Sequence, residues 1–259
     1  MFFFLRLFSV KKKYLDSKHV GCYIDNWIIG NLIISMEVRR LAKSDHSLDS
    51  PILESARREF LDKGFEKASL KEICDNAHVT TGALYKRYSG KEELFSAVVA
   101  DTVRDLEEII EQKCLTDRKG ISDEALVKAW EMDSGYMMWW FRYLFERYDG
   151  FVLLLKCAEG TRYANFQHDW VEGMTKSTYA YYEEAYQRGL CSVRISEEEM
   201  HVLLTAFWAT IYEPFIHGWQ MEQIEEHSRL VCALFDWHRT IGFEDGKING
   251  NEKTENIVE

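Results

Sequence analysis

Residues 69–91 read SLKEICDNAHVTTGALYKRYSGK, and their spacing predicts two short helices joined by a tight turn, with a third helix beginning at the end. Ser69 is placed to cap the first helix, and Glu72 completes the capping-box pattern. Leu70, Ile73 and Ala77 recur at helical spacing and share one face. His78 and Val79 make the turn. Thr80 or Thr81 caps the second helix, with Leu84 and Tyr88 directed inward. That leaves Ala83, Lys86 and Arg87 outward. A short supported helix that exposes small, hydroxyl and basic side chains fits the major groove of duplex DNA. The plainer alternative is a solvated helical hairpin with incidental positive charge.

Working outward, ILESARREFLDKGFEKASLKEIC and NAHVTTGALYKRYSGKEELF continue the pattern on both sides. The stretch from Ile52 to Leu106 resembles the N-terminal domain of the tetracycline-repressor (TetR) family of bacterial transcription regulators. The likeness rests on Gly82-Ala83-Leu84-Tyr85, on Tyr88, and on Lys91-Glu92-Glu93-Leu94-Phe95. It implies a helix-turn-helix head that binds double-stranded DNA, a helical body that takes a small organic ligand, and a two-fold homodimer. It also implies that the Tyr85 hydroxyl and the Lys91 ammonium meet phosphates, with Ser69 as a third contact. Thr80, Thr81, Ala83 and Lys86 are expected to face base edges, and Arg87 the groove margin. Threonine donates, accepts or touches a thymine methyl, and alanine does the last.

The flanking residues predict an all-α chain. Ser50 is placed to cap helix 1 with Pro51 at its first position, where a missing N–H costs nothing. Ile52, Ala56 and Phe60 form the buried stripe, Gly64 ends the helix, and Phe65 folds back as a plug. Helix 4 starts at Ser89 or Gly90 and carries Leu94, Val98, Leu106 and Ile109 inward. Beyond a polar break at 117–122, five helices are expected at 123–148, 149–158, 162–189, 196–218 and 221–241. Ser196 and Glu199 form another capping box. The expected divisions are an extension and basic arm at 1–48, a helix-turn-helix domain at 49–96, a regulatory and dimerisation domain at 97–243, and a polar tail at 244–259.

The net charge of −11 looks wrong for a DNA binder until it is divided along the chain. Residues 1–35 hold five basic and two acidic residues, residues 36–100 eleven of each, and residues 101–259 sixteen basic against thirty acidic. The acidity therefore lies outside the head, where Arg39, Arg40, Lys43, Lys86, Arg87 and Lys91 gather. Local clustering sets phosphate affinity, not total charge. The apolar Met1–Val10 is interrupted by Arg6 and followed by Lys11–Lys13, the wrong order for a secretory signal. Trp27 to Ser35 is too short to span a bilayer. A native start at Met36 and a cytoplasmic, membrane-free protein are the expectations, with a membrane tether in residues 1–35 as the sharper alternative.

Six scattered cysteines show no paired spacing for zinc or a disulfide framework. Phosphate-loop, dinucleotide and HExxH motifs are lacking. Glu198 and His201 form a lone ExxH, where a di-iron bundle needs two plus two further glutamates. No catalytic residue, metal or cofactor is expected. A helical metal-binding or oxidase-like bundle is the distant alternative.

The body is rich in aromatic residues. Most belong in a core, but helices carrying aromatics on every side leave gaps, and gaps lined by Tyr and Trp take ligands. Trp139, Trp140, Tyr143, Phe166, Trp170 and Tyr179 are the candidate pocket. The last two helices carry a second apolar stripe, and Phe207, Ile211, Phe215, Leu230, Leu234 and Trp237 are the candidate dimer seam. The chain is expected to be a ligand-responsive repressor binding a palindromic operator, with an activator or ligand-independent regulator of the same fold as the alternative.

Overall fold

The computed structural model describes residues 49–115 and 119–243. The expectations for the N-terminal extension, for Arg39, Arg40 and Lys43, and for the tail lie outside them. Among the described residues there are eleven helices and no strand; one isolated bridge joins Cys191 to Phe243. None of these helices is long and apolar enough to cross a membrane.

Four helices build the head: α1 (Asp49–Lys67), α2 (Leu70–Asn76), α3 (Thr81–Tyr85) and the start of α4 (Lys91–Leu115). Ile52, Ala56 and Phe60 are fully buried along α1, and Ile73, Leu84, Leu94 and Phe95 meet them. Gly64 breaks α1 with φ 73° and ψ 167°, a left-handed conformation that glycine adopts without steric cost. The chain then turns Phe65 inward against Phe60 and Phe95, at ring-centroid distances of 6.1 and 5.6 Å. Ser50 lies inside the first turn of α1 rather than capping it, because the helix already includes Asp49.

The body holds α5 (Asp123–Lys128), α6 (Ser134–Phe145), α7 (Tyr148–Lys156), α8 (Phe166–Gln187), α9 (Glu197–Ile216), α10 (Met221–Leu234) and α11 (Trp237–Ile241). The capping box at Ser196 and Glu199 is complete. Two expected helices are each broken in two. Asp133 accepts the Tyr136 N–H at 2.8 Å and starts α6 afresh. Asp236 accepts the Arg239 N–H at 3.0 Å and starts α11. In both places a local cap outcompetes an apolar periodicity that runs on across it.

The 25 residues of α4 span about 37 Å and join head to body. Helix α7 links them a second time. Phe151 and Val152 belong to the body core, whereas Leu153, Leu154, Cys157 and Ala158 belong to the head core. The head core therefore reaches beyond the boundary expected at residue 96. The two linking helices also touch closely: a Cβ added at Gly150 would sit 2.0 Å from Thr102 Oγ1, so only glycine admits this approach.

Of the six residues expected at the dimer seam, Leu230 and Leu234 are exposed and the other four are not. Phe207, Ile211, Phe215 and Trp237 are buried inside the protomer and form part of its core. Helix α9 is apolar on more than one face, so spacing alone does not say which face turns inward.

Candidate nucleic-acid interface

Local hydrogen bonds fix the turn between α2 and α3. Ser69 Oγ accepts the Glu72 N–H at 3.3 Å and caps α2. The reciprocal half of the expected capping box is missing. The Ser69 N–H donates instead to Glu59 Oε1 at 3.0 Å, and the Glu72 carboxylate pairs with Lys63. His78 takes a positive φ of 55°, tolerated here because the Val79 N–H closes onto the Cys74 carbonyl at 3.0 Å. Thr80 Oγ1 accepts the Ala83 N–H at 3.2 Å and caps α3. Burial pushes the Cys74 thiol above its ordinary value, and a hydrogen bond with the neighbouring Thr81 side chain opposes that rise.

Helix α3 buries only Leu84. Thr80, Thr81, Gly82, Tyr85 and Lys86 are exposed, Tyr85 at 52%, and Ala83 is half-buried. Among the described residues Lys86 meets no carboxylate. The Thr80, Thr81, Ala83, Tyr85 and Lys86 side chains thus lie together on the outer surface around α3. Gly82 was not among the expected site residues. A Cβ added there would meet only Thr80 Oγ1, at 3.9 Å, so nothing inside the protomer requires glycine.

Arg87 and Lys91 have internal partners. Arg87 Nε donates to Asp49 Oδ1 at 2.7 Å, and its Nη1 donates to the Ala83 carbonyl at 3.3 Å. These bonds anchor the end of α3 to the start of α1. Lys91 Nζ donates to the carbonyls of Glu66 and Ala68 at 2.9 and 3.2 Å. It also lies 4.8 Å over the Phe65 ring. Its ammonium therefore caps the end of α1 as well as standing at the start of α4. Glu59, nearly buried behind Ser69, is driven upward by desolvation, but the bonds from the Ser69 N–H and Lys63 outweigh this and hold it below its ordinary 4.5.

Five of the six expected pocket residues are linked by ring contacts, Trp139, Trp140 and Tyr143 to one another and Trp140 through Trp208 to Trp170 and Phe166, whereas Tyr179 lies apart. Trp140 and Trp170 are buried and each meets Trp208 edge-on, at 5.3 and 5.4 Å. Trp139 is exposed and stacks on Tyr143. Phe166 stacks on Trp170, and Tyr179 lies against Tyr182. None of the six lines the open cleft of about 580 Å³ between α4 and α7, whose walls include Asp101, Thr102, Asp105, Arg147 and Gly150. Arg147 is held there by Asp105 at 2.8 Å and lies over the Tyr143 ring. Among the described residues no three donors are grouped to hold a metal ion.

Residues 52–98 match the family described as bacterial regulatory proteins, tetR family. The HTH-type transcriptional regulator UidR of Escherichia coli (strain K12) is 40% identical over 48 residues, which is 18% of this chain and 24% of that protein. The chain thus matches about a quarter of that relative's length. A TetR-like transcriptional regulator from Rhodococcus sp. RHA1 superposes with a TM-score of 0.50 at 16% identity, covering 77% of this chain and 98% of that one. That second likeness extends the shared fold into the body. The likeness to the tetR family is thus carried by the head, over residues 52–98.

Proposed function

Starting from a head that matches the tetR family, we propose that the chain is a ligand-responsive regulator that binds a palindromic operator as a dimer and represses transcription. The observation that carries this is the surface around α3. Two threonines, a glycine with no internal reason to be one, an exposed tyrosine and a lysine lie on a short, capped helix. Thr81, Ala83 and Lys86 suit base edges, whereas Tyr85 and Ser69 suit phosphates. Arg87 acts chiefly as the strut that sets the tilt of α3, and Lys91 combines its structural cap with a phosphate contact.

A two-fold operator needs a two-fold protein. The support for a dimer lies on the outer faces of α9 and α10. Val202, Leu230 and Leu234 are 66%, 60% and 71% exposed, and the exposed Ala206 and Ala233 lie on the same helices. Apolar side chains of that size exposed on adjacent helices mark an association surface. To read two half-sites, the dimer must carry its α3 helices about 34–36 Å apart, one turn of duplex. A ligand that favours another spacing by about 2.7 kcal/mol weakens operator binding 100-fold.

Selection of duplexes from a random pool by the purified protein tests this proposal. The expected product is a symmetric consensus with half-site centres one helical turn apart. An asymmetric consensus, or a protein monomeric at micromolar concentration by light scattering, would contradict the two-fold scheme.

A further inference from the structure

Three tryptophans in the body carry indole N–H groups with no hydrogen-bond partner: Trp130, Trp208 and Trp237. All three are more than nine-tenths buried. Trp140 behaves differently, donating its N–H to the Tyr136 hydroxyl at 2.5 Å. A buried donor left unmade is a standing cost, and three in one core require an explanation. They are also connected. Trp130 and Trp237 lie 6.3 Å apart, Trp237 and Phe207 6.0 Å, and Phe207 and Trp208 5.8 Å. Trp130 and Trp237 fall at the two places where an expected helix breaks. Phe207, fully buried, occupies the middle of the row.

We propose that the middle of this row is a closed ligand site, and that an uncharged, flat molecule bearing an acceptor oxygen enters where the Phe207 ring turns aside and accepts a hydrogen bond from Trp208 or Trp237, the two orphan indoles that flank Phe207. The proposal rests on the ligand-responsive reading above and names the chemistry of the ligand. The absence of charge follows from the surroundings. Among the described residues the only buried charged side chain is Glu59, in the head; the buried polar groups of the body are threonine, serine and tyrosine hydroxyls, a cysteine thiol and the indoles, none of them an ion. An ion entering there would find no counter-charge. Flatness follows from the aromatic walls, and the acceptor oxygen from the indoles, which only donate. The room vacated by one phenyl ring is of the order that admits a benzene-sized guest.

Two probes of similar shape separate acceptor chemistry from simple apolar filling: coumarin, with its carbonyl and ring oxygens, and naphthalene, with none. The protein is labelled with 15N-tryptophan, and Trp130→Phe, Trp208→Phe and Trp237→Phe assign the indole signals. Coumarin is expected to move the Trp208 or Trp237 signal downfield, as a new hydrogen bond does, and naphthalene, which offers no acceptor, to produce no downfield movement. Phe207→Ala, which opens the space and keeps the donors, is expected to bind coumarin about tenfold more tightly than wild type and to prefer it to naphthalene. If that variant does not fold, the wild-type shifts decide. Equal binding of the two probes, or no downfield movement of either signal with coumarin, overturns the site. Release of operator DNA by a compound that leaves the indoles unmoved also overturns it while keeping the regulatory reading. Indole shifts without DNA release uphold the site and count against that reading.

Discussion

The N–H of Phe65 donates to the carbonyl of Cys157 at 3.0 Å, joining the turned-in end of α1 to the end of α7. Around this bond Arg57 pairs with Asp149, the Arg162 N–H reaches Glu92 Oε1 at 3.3 Å, and Tyr163 lies 6.3 Å from Phe95. Head and body are thus joined by a second connection besides α4, built from backbone, charge and aromatic contacts.

Leu153, on α7 but buried in the head core, tests that connection. Leu153→Ala is expected to cost about 2–5 kcal/mol by loss of apolar contact and the cavity left behind. Denaturant unfolding followed separately at the head and the body should show both transitions shifting together. A shift confined to the body would mean that α7 does not support the head.

Lys91→Ala separates two roles. Loss of the cap on the Glu66 and Ala68 carbonyls is expected to lower stability by about 1–3 kcal/mol. Loss of a phosphate contact should also flatten the dependence of log affinity on log salt by about one unit, for every DNA sequence alike. Measured under conditions where the variant is fully folded, an unchanged salt slope would leave Lys91 only the capping role.

Gly82→Ala should leave the fold intact and favour α3 by up to about 1 kcal/mol, since alanine is the better helix former and the new methyl group meets only Thr80. Operator affinity is expected to fall nevertheless, because the added methyl group stands where the α3 backbone approaches the duplex. Thermal melting and DNA titration on the same sample check both halves; undiminished affinity would put α3 farther from the DNA than proposed.

Acid should loosen the head through Glu59. Its pKa lies below the ordinary 4.5 in the folded chain, so its contribution is present above that value and is lost as pH falls through the folded pKa. Glu59→Gln is expected to remove this part of the acid dependence and to lower stability at neutral pH by about 1–3 kcal/mol. Parallel pH–stability curves for the two proteins would assign the dependence to other carboxylates.

The head was legible in the sequence because its signals are local. Ser69 and Thr80 cap within three residues, Gly64 breaks α1, and Ile52, Ala56 and Phe60 keep one periodicity. The internal anchoring of Arg87 and Lys91 was not legible, since their partners lie 38 and up to 25 residues away. In the body, apolar periodicity runs across the breaks near Trp130 and Phe235, and it hid the caps at Asp133 and Asp236. The stripe of Phe207, Ile211 and Phe215 was correctly found as apolar, but α9 also exposes Val202 and Ala206, so pattern alone left the inward face undecided. The missing partners of three indoles emerge only once the chain is folded.

The most direct measurement compares the DNA consensus selected from a random pool by the unaltered protein with that selected after replacing Thr81, Ala83 and Lys86 together. The expected result is a symmetric consensus for the unaltered protein that changes or vanishes at matching positions in both half-sites. An identical consensus from a variant of equal stability would contradict the assignment of α3 as the helix that reads the operator.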